Sequence, residues 1–182
     1  MSVSLPRRSL LAGGTALAAA PAAAQVGGWR VGIPASDFAF RDAAGRRFTL
    51  ASFPDRALLL LFWATWSRDS DAELIKLDAV AQTWREDPRV AFLTLVIAEP
   101  VARAKGWLER RRLTLPVYEP EAEAVWDLKF LDGRTARLTN AVPYGAILDT
   151  QRSIRFLRQG AGGAVAYDEQ LRRVTASMIR VG

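Results

Sequence analysis

The sequence predicts a single α/β domain: a central mixed β-sheet flanked by helices, with a β-hairpin extension at its N-terminal side. Three observations predict it. Two continuous apolar runs of strand length, 57–63 (ALLLLFW) and 90–97 (VAFLTLVI), have the composition of strands buried on both faces. A stretch with helical spacing of apolar residues follows each run, and this alternation implies parallel pairing of the strands. Stretches 37–50 and 144–158 each place two short strands around a turn, the pattern of antiparallel hairpins.

The elements follow in order. Residues 27–34 form a Gly/Pro-containing lead-in, after which 37–41 and 46–50 flank the turn-like Asp42-Ala43-Ala44-Gly45. The first long helix runs from Ser70 or slightly earlier to about Arg85, with Leu74, Leu77, Val80, Ala81 and Trp84 at helical spacing, and Asp87-Pro88 ends it. Ser70-Asp71-Ala72-Glu73 matches the S-x-x-E capping box, and Ser67 serves equally as an N-cap, each contributing about 1 kcal/mol. After the second buried strand come a helix over 101–112 and a short strand over 115–118. Residues 121–130 are expected to be helical, Asp132-Gly133 a turn, and 134–140 (Arg134 to Asn140) an exposed loop. Val142-Pro143 then leads into a strand over 144–149, a turn over 150–153 and the second strand of a hairpin over 154–158. Gly160 to Gly163 is expected to be a flexible hinge, and 167–179 a last amphipathic helix with Leu171, Val174 and Met178 on one face.

Two absences narrow the chemistry. The 182 residues contain no Cys and no His, which removes thiol chemistry, His or Cys haem ligation, Cys/His zinc sites and His-based triads. Soft copper sites lack ligands too, since the two methionines, Met1 and Met178, lie at opposite ends of the chain. No spaced acidic loop suits Ca²⁺. We therefore expect no metal and no cofactor. The net charge is +6, but the arginines are interspersed with acids, and the densest run, Arg110-Arg111-Arg112, ends a helix, where cations complement the dipole. Nucleic-acid binding is not expected.

Residues 1–24 have the form of a twin-arginine signal peptide. Arg7-Arg8 precede a mild Ala- and Gly-rich apolar run, and Ala22-Ala23-Ala24 offers an A-x-A site that leaves Gln25 as the new N-terminus. The apolar run contains Pro21 and two glycines and falls short of the roughly 20 strongly apolar residues a membrane span requires. Cleavage before Gln25 is expected, with no stable membrane insertion afterwards. The mature product is then one domain, 25–182, in the periplasm. An oxidising compartment also gives a cysteine-free chain a plain benefit, the absence of wrong disulfides.

The order of elements, together with GIPASDFAF (32–40), FWATW (62–66), Glu73, Pro143 and ILDTQRSIRFLRQG (147–160), resembles the thioredoxin fold and, within it, the exported TlpA/ResA-like thioredoxins. That resemblance implies a reactive Cys-x-x-Cys after Trp-Ala-x-Trp. This chain carries Ser67-Arg68-Asp69-Ser70 instead. Serine forms no disulfide and needs a base or metal to act as a nucleophile, so thiol-disulfide and peroxidase activity are excluded. The resemblance further implies that Glu73 stands where an acid tunes the cysteines, and that Pro143 is a cis-proline beside the motif, leaving the backbone of the preceding residue free to pair with an extended peptide. Ile75 departs from the proline usual shortly after the acid, and Tyr144-Gly145 from the usual pair after the cis-proline.

The functional expectation is a redox-inactive exported protein acting by protein or peptide binding, in an accessory or chaperone-like role. Its candidate groove is Trp66, Ser67, Arg68, Val142 and Pro143, with an exported protein or peptide as partner. Catalytic residues are not expected. The alternative is a glutathione-transferase-like enzyme in which the Ser67 hydroxyl stabilises a bound thiolate, although the chain has no room for the helical domain such enzymes carry.

Overall fold

The computed structural model describes residues 29–121, 127–129, 135–137 and 142–178. The expected leader and its cleavage site lie outside them. Nine strands and three α-helices are present among the described residues, besides a 3-10 turn at Leu50–Ser52: β1 (Ala39–Asp42), β2 (Arg47–Thr49), β3 (Ala57–Trp63), α1 (Arg68–Thr83), β4 (Val90–Val96), α2 (Val101–Arg110), β5 (Val117–Pro120), β6 (Asp127–Lys129), β7 (Thr135–Arg137), β8 (Tyr144–Leu148), β9 (Ile154–Gln159) and α3 (Ala164–Met178).

β3 is the centre because its side chains have nowhere polar to go. All seven of its residues are buried. It pairs in parallel with β4, Leu60 opposite Leu93, and antiparallel with β8, Leu60 opposite Ala146. The full order is β2-β1-β5-β4-β3-β8-β9, with β4 and β5 parallel and both outer hairpins antiparallel, so the sheet is mixed. Strand alternation sends Leu59, Leu61 and Trp63 to one face and Leu58, Leu60 and Phe62 to the other. Both the β3-α1-β4 and β4-α2-β5 crossovers advance in the same direction across the sheet, and a right-handed connection then places both helices on one face. α3 joins them there: Leu74 and Leu77 of α1, Trp107 and Leu108 of α2, and Tyr167 and Leu171 of α3 share one core with the odd-numbered residues of β3.

The opposite face is covered by aromatic side chains from the N-terminal segment. Trp29 meets Phe62 edge-on at 5.9 Å between centroids, and Phe40 meets Tyr118 edge-on at 5.2 Å. The β1-β2 hairpin docks antiparallel on β5, and Arg41 and Arg47 both reach Glu121, at 2.7 and 2.9 Å. Residues 32–35 pair with the start of β9, where Ile154 N–H donates to Ile33 O at 3.0 Å.

The connection before Pro143 differs from expectation. Residues 127–129, assigned to a helix from sequence, form β6, and the expected loop contains β7, which pairs with it antiparallel from Lys129 opposite Thr135. The rest of the expected helix and loop lies outside the described residues. The physical reason is legible afterwards: Asp132-Gly133 lies between the two strands, and Asp-Gly is a hairpin signal. α3 begins at Ala164, three residues before the expected start.

Candidate functional site

β3 ends in Trp63, whose carbonyl accepts from Ile97 N at 2.9 Å, and the chain then turns through Ala64, Thr65 and Trp66 into α1. Ser67 is the N-cap: its backbone is extended, its N–H donates to Ala64 O at 3.2 Å, and its hydroxyl oxygen accepts from Ser70 N at 3.2 Å. Ser70 is fully buried inside the first turn, and its hydroxyl accepts from Ala64 N at 3.4 Å. Of the two capping arrangements open in the sequence, the structure has the one at Ser67. Glu73 takes no part in capping α1.

Glu73 instead lies fully buried against the start of α3. Its carboxylate accepts from Gly162 N at 2.5 Å and from Gly163 N at 2.9 Å. Those amides precede the helix, so the carboxylate sits at the positive end of its dipole. The expected hinge is thus tied down, and Gly160 N also donates to Pro143 O at 2.8 Å. Tyr167, on the first turn of α3, packs its ring into the space beside Gly145, where a Cβ would overlap the phenol. This explains why glycine follows Tyr144 here. The Tyr167 hydroxyl is buried without a hydrogen-bond partner among the described residues. Burial, with the Glu73 charge adding to it, pushes that phenol well above its ordinary titration range, and burial does the same to Tyr144.

Across from the motif, the Val142-Pro143 peptide bond is cis, as the resemblance implies. Pro143 is buried and Val142 half-buried. The Ser67 hydroxyl donates to Val142 O at 3.4 Å, so the motif and the proline loop touch. Trp66 is 56% exposed on the rim, and Arg68 beside it is exposed with no ion pair among the described residues. Ile75 is exposed on the outer side of α1. Of the five expected groove residues, Ser67 touches Val142 and Pro143 is buried, while Trp66 and Arg68 are exposed.

Sequence reasoning missed Glu99. Its side chain is only 4% exposed, and its carboxylate accepts from Thr65 N at 2.5 Å and from Thr65 Oγ1 at 2.6 Å. This fixes the turn that presents Trp66. The one signal available was an acid at the carboxyl end of a central strand, where α/β sheets place their sites.

Chemically, the Ser67 hydroxyl is engaged on both sides, by Ser70 N and Val142 O, and no base bonds to it among the described residues. It is not set up as a nucleophile. No group of three or more acids able to hold a metal ion occurs among the described residues.

Comparison with known proteins bears on this geometry. No family model matches the sequence. The thiol-disulfide oxidoreductase ResA of Geobacillus thermodenitrificans is 28% identical over 87 residues, 48% of this chain and 49% of that protein. The chain thus spans about half the length of the curated relatives it matches. A thiol:disulfide interchange protein of the thioredoxin family from Chlorobium tepidum superimposes with a TM-score of 0.63 at 20% identity, covering 80% of this chain and 97% of that one. This chain has the thioredoxin fold, and half of it is similar in sequence to ResA. An exposed lipoprotein thioredoxin from Streptococcus pneumoniae also superimposes, with a TM-score of 0.58 at 22% identity, covering 76% of this chain and 99% of that one. The chain holds no cysteine for the thiol-disulfide chemistry that the relatives' names describe, and Ser67 and Ser70 stand at the cap and in the first turn of α1.

Proposed function

We propose that this TlpA/ResA-like chain is redox-inactive and acts by holding an extended segment of another exported protein in the groove of Trp66, Ser67, Arg68, Val142 and Pro143. The observation that carries this reading is a cis-proline loop in contact with a capped helix start, with no sulfur at either. The cis peptide, the capped helix start and the exposed tryptophan are all present, whereas the 182 residues contain no cysteine. An exposed aromatic beside a backbone able to pair with an extended strand is sufficient for peptide recognition. None of the relatives named above is a transferase, and Ser67 donates its proton to a backbone carbonyl, so the thiolate-stabilising alternative gains no support.

We further propose export by the twin-arginine route with cleavage before Gln25, giving an extracytoplasmic protein. The paired arginines and the A-x-A end support this, as does the likeness to an exposed lipoprotein thioredoxin. No helix among the described residues is long and apolar enough to cross a membrane.

Two measurements test the reading. Proteins recovered with the tagged chain from the periplasm should include a partner that is lost with Trp66→Ala and retained with Ile75→Ala on the outer side of α1; a partner held equally by both variants places binding elsewhere. Intact mass of the exported form should begin at Gln25, and a membrane-bound product retaining Met1 refutes cleavage.

A further inference from the structure

We propose that the cleft at the far end of α1 from Ser67 binds a small apolar monocarboxylate, with the apolar body inside and the charge on Arg85. Trp84, Phe92 and Leu115 line a cavity of about 210 Å³ there, and Gln82, Arg85 and Thr114 supply its polar lining. It lies between the end of α1, the start of β4 and the segment that enters β5. The site is separate from the groove at Ser67 and does not depend on how that groove is used.

The cavity stays open because its walls are pinned from outside it. Thr114 donates to Asp78 twice, from its N–H at 2.7 Å and its hydroxyl at 3.1 Å, and its Oγ1 accepts from Gln82 Nε2 at 2.5 Å. Two residues on, Pro116 O accepts the Thr94 hydroxyl at 2.5 Å. The Trp84 ring is held by its own indole N–H, which donates to Asp168 at 2.8 Å. Between these walls Ala81 brings only a methyl group, too little to fill the gap. A site formed in advance loses little entropy when a ligand enters.

Charge and size select the ligand. Among the described residues that line the cavity Arg85 alone is charged, and it has no ion pair among the described residues. The acids around it are turned elsewhere: Asp78 to Thr114, and Asp87 to Arg89 at 2.6 Å. Glu86, next in the chain, is exposed and lines no part of the cavity. A carboxylate therefore finds a guanidinium at the cleft without displacing another acid. Apolar walls around an enclosed volume of about 150 Å³ hold one benzene ring, so this cleft has room for a ring and a short acidic arm.

The test titrates phenylacetate, its neutral amide phenylacetamide, and acetate into the ¹⁵N-labelled protein and follows the Trp84 indole N–H resonance. Phenylacetate should shift it saturably and bind about fivefold more tightly than the amide, the factor that a good exposed ion pair supplies. Acetate, which lacks the ring, should leave the resonance in place. Arg85→Gln, at an exposed position, should bring acid and amide level while the amide binds as before. Ala81→Leu fills the cleft and should abolish binding of both. The proposal is overturned by the absence of a saturable shift up to tens of millimolar phenylacetate, by an equal response to acetate, or by a preference for the acid that survives Arg85→Gln.

Discussion

Glu73 and Tyr167 lie together at the start of α3, yet their polar atoms stand differently. The Glu73 carboxylate has backbone donors in Gly162 and Gly163, and the Tyr167 hydroxyl has no partner among the described residues. Replacing Glu73 by Ala removes charge-assisted hydrogen bonds and strands two amides, so it should cost about 2–3 kcal/mol. Tyr167→Phe removes only an unmatched hydroxyl and should change stability by less than about 0.5 kcal/mol, or raise it. Urea midpoints at neutral pH decide: equal losses in the two variants mean that the phenol is bonded after all. At this scale the cap at Ser67 was legible as one of two arrangements, and the cis bond at Pro143 through the family resemblance rather than through local spacing. The destination of Glu73 was not legible. Its partners are 89 and 90 residues away, and local spacing carries no information about them.

Helix α1 begins at the Ser67–Ser70 stretch, and placing sulfur there tests its placement. Ser70 N lies 3.2 Å from Ser67 Oγ, so the two residues share the first turn. Ser67→Cys and Ser70→Cys made together should therefore form a reversible intramolecular disulfide in the folded protein. The helix field lowers the first thiol below the free value of about 8.5, while Asp69 and Asp71 in the same turn oppose it. Free-thiol counts and the mass of the peptide carrying both cysteines provide the readout. If no bridge forms without unfolding, the start of α1 is misplaced. β3, β4 and β8 were legible as elements because unbroken apolar runs of strand length have few alternatives. β6 was not, since Asp127-Leu128-Lys129 is too short to show a period and only the downstream Asp-Gly marked it as half of a hairpin.

Across the whole molecule, the composition sets the pH response. With no His and no Cys, no side chain of ordinary pKa titrates near neutrality, so stability should be flat from about pH 6 to 9. All three tyrosines are held above their usual 10.0, chiefly by burial. A raised phenol keeps its proton in the folded state while the unfolded chain loses it, so stability should fall as pH rises past about 10. Tyr167→Phe should lessen that fall. On the acid side, Arg47 beside Glu121 and Arg89 beside Asp87 hold both carboxyls below their usual range. Their contribution is present above the unfolded values and is lost as pH falls through the folded ones, modestly, since both are solvent-screened. Urea midpoints from pH 3 to 11 would show a plateau with two shoulders, and a step near neutrality would contradict this account. The fold as a whole was legible because alternating strand and helix patterns leave one chirality and few orders; the β6-β7 connection was not, because short polar segments constrain topology weakly.

The tie between Glu73 and the glycines has a consequence for how the molecule breathes. A stretch reading Gly-Ala-Gly-Gly before a helix is where deuterium would be expected to enter first. Here the amides of Gly162 and Gly163 are donated to a fully buried carboxylate, and that of Gly160 to Pro143 O. Exchange at Gly162 and Gly163 should be slow for a loop and should open when α3 lifts from α1, and that at Gly160 when the Pro143 loop lets go. In a deuterium-uptake map, Gly162 and Gly163 should label later than a glycine-rich joint ordinarily does, together with the N-terminal end of α3.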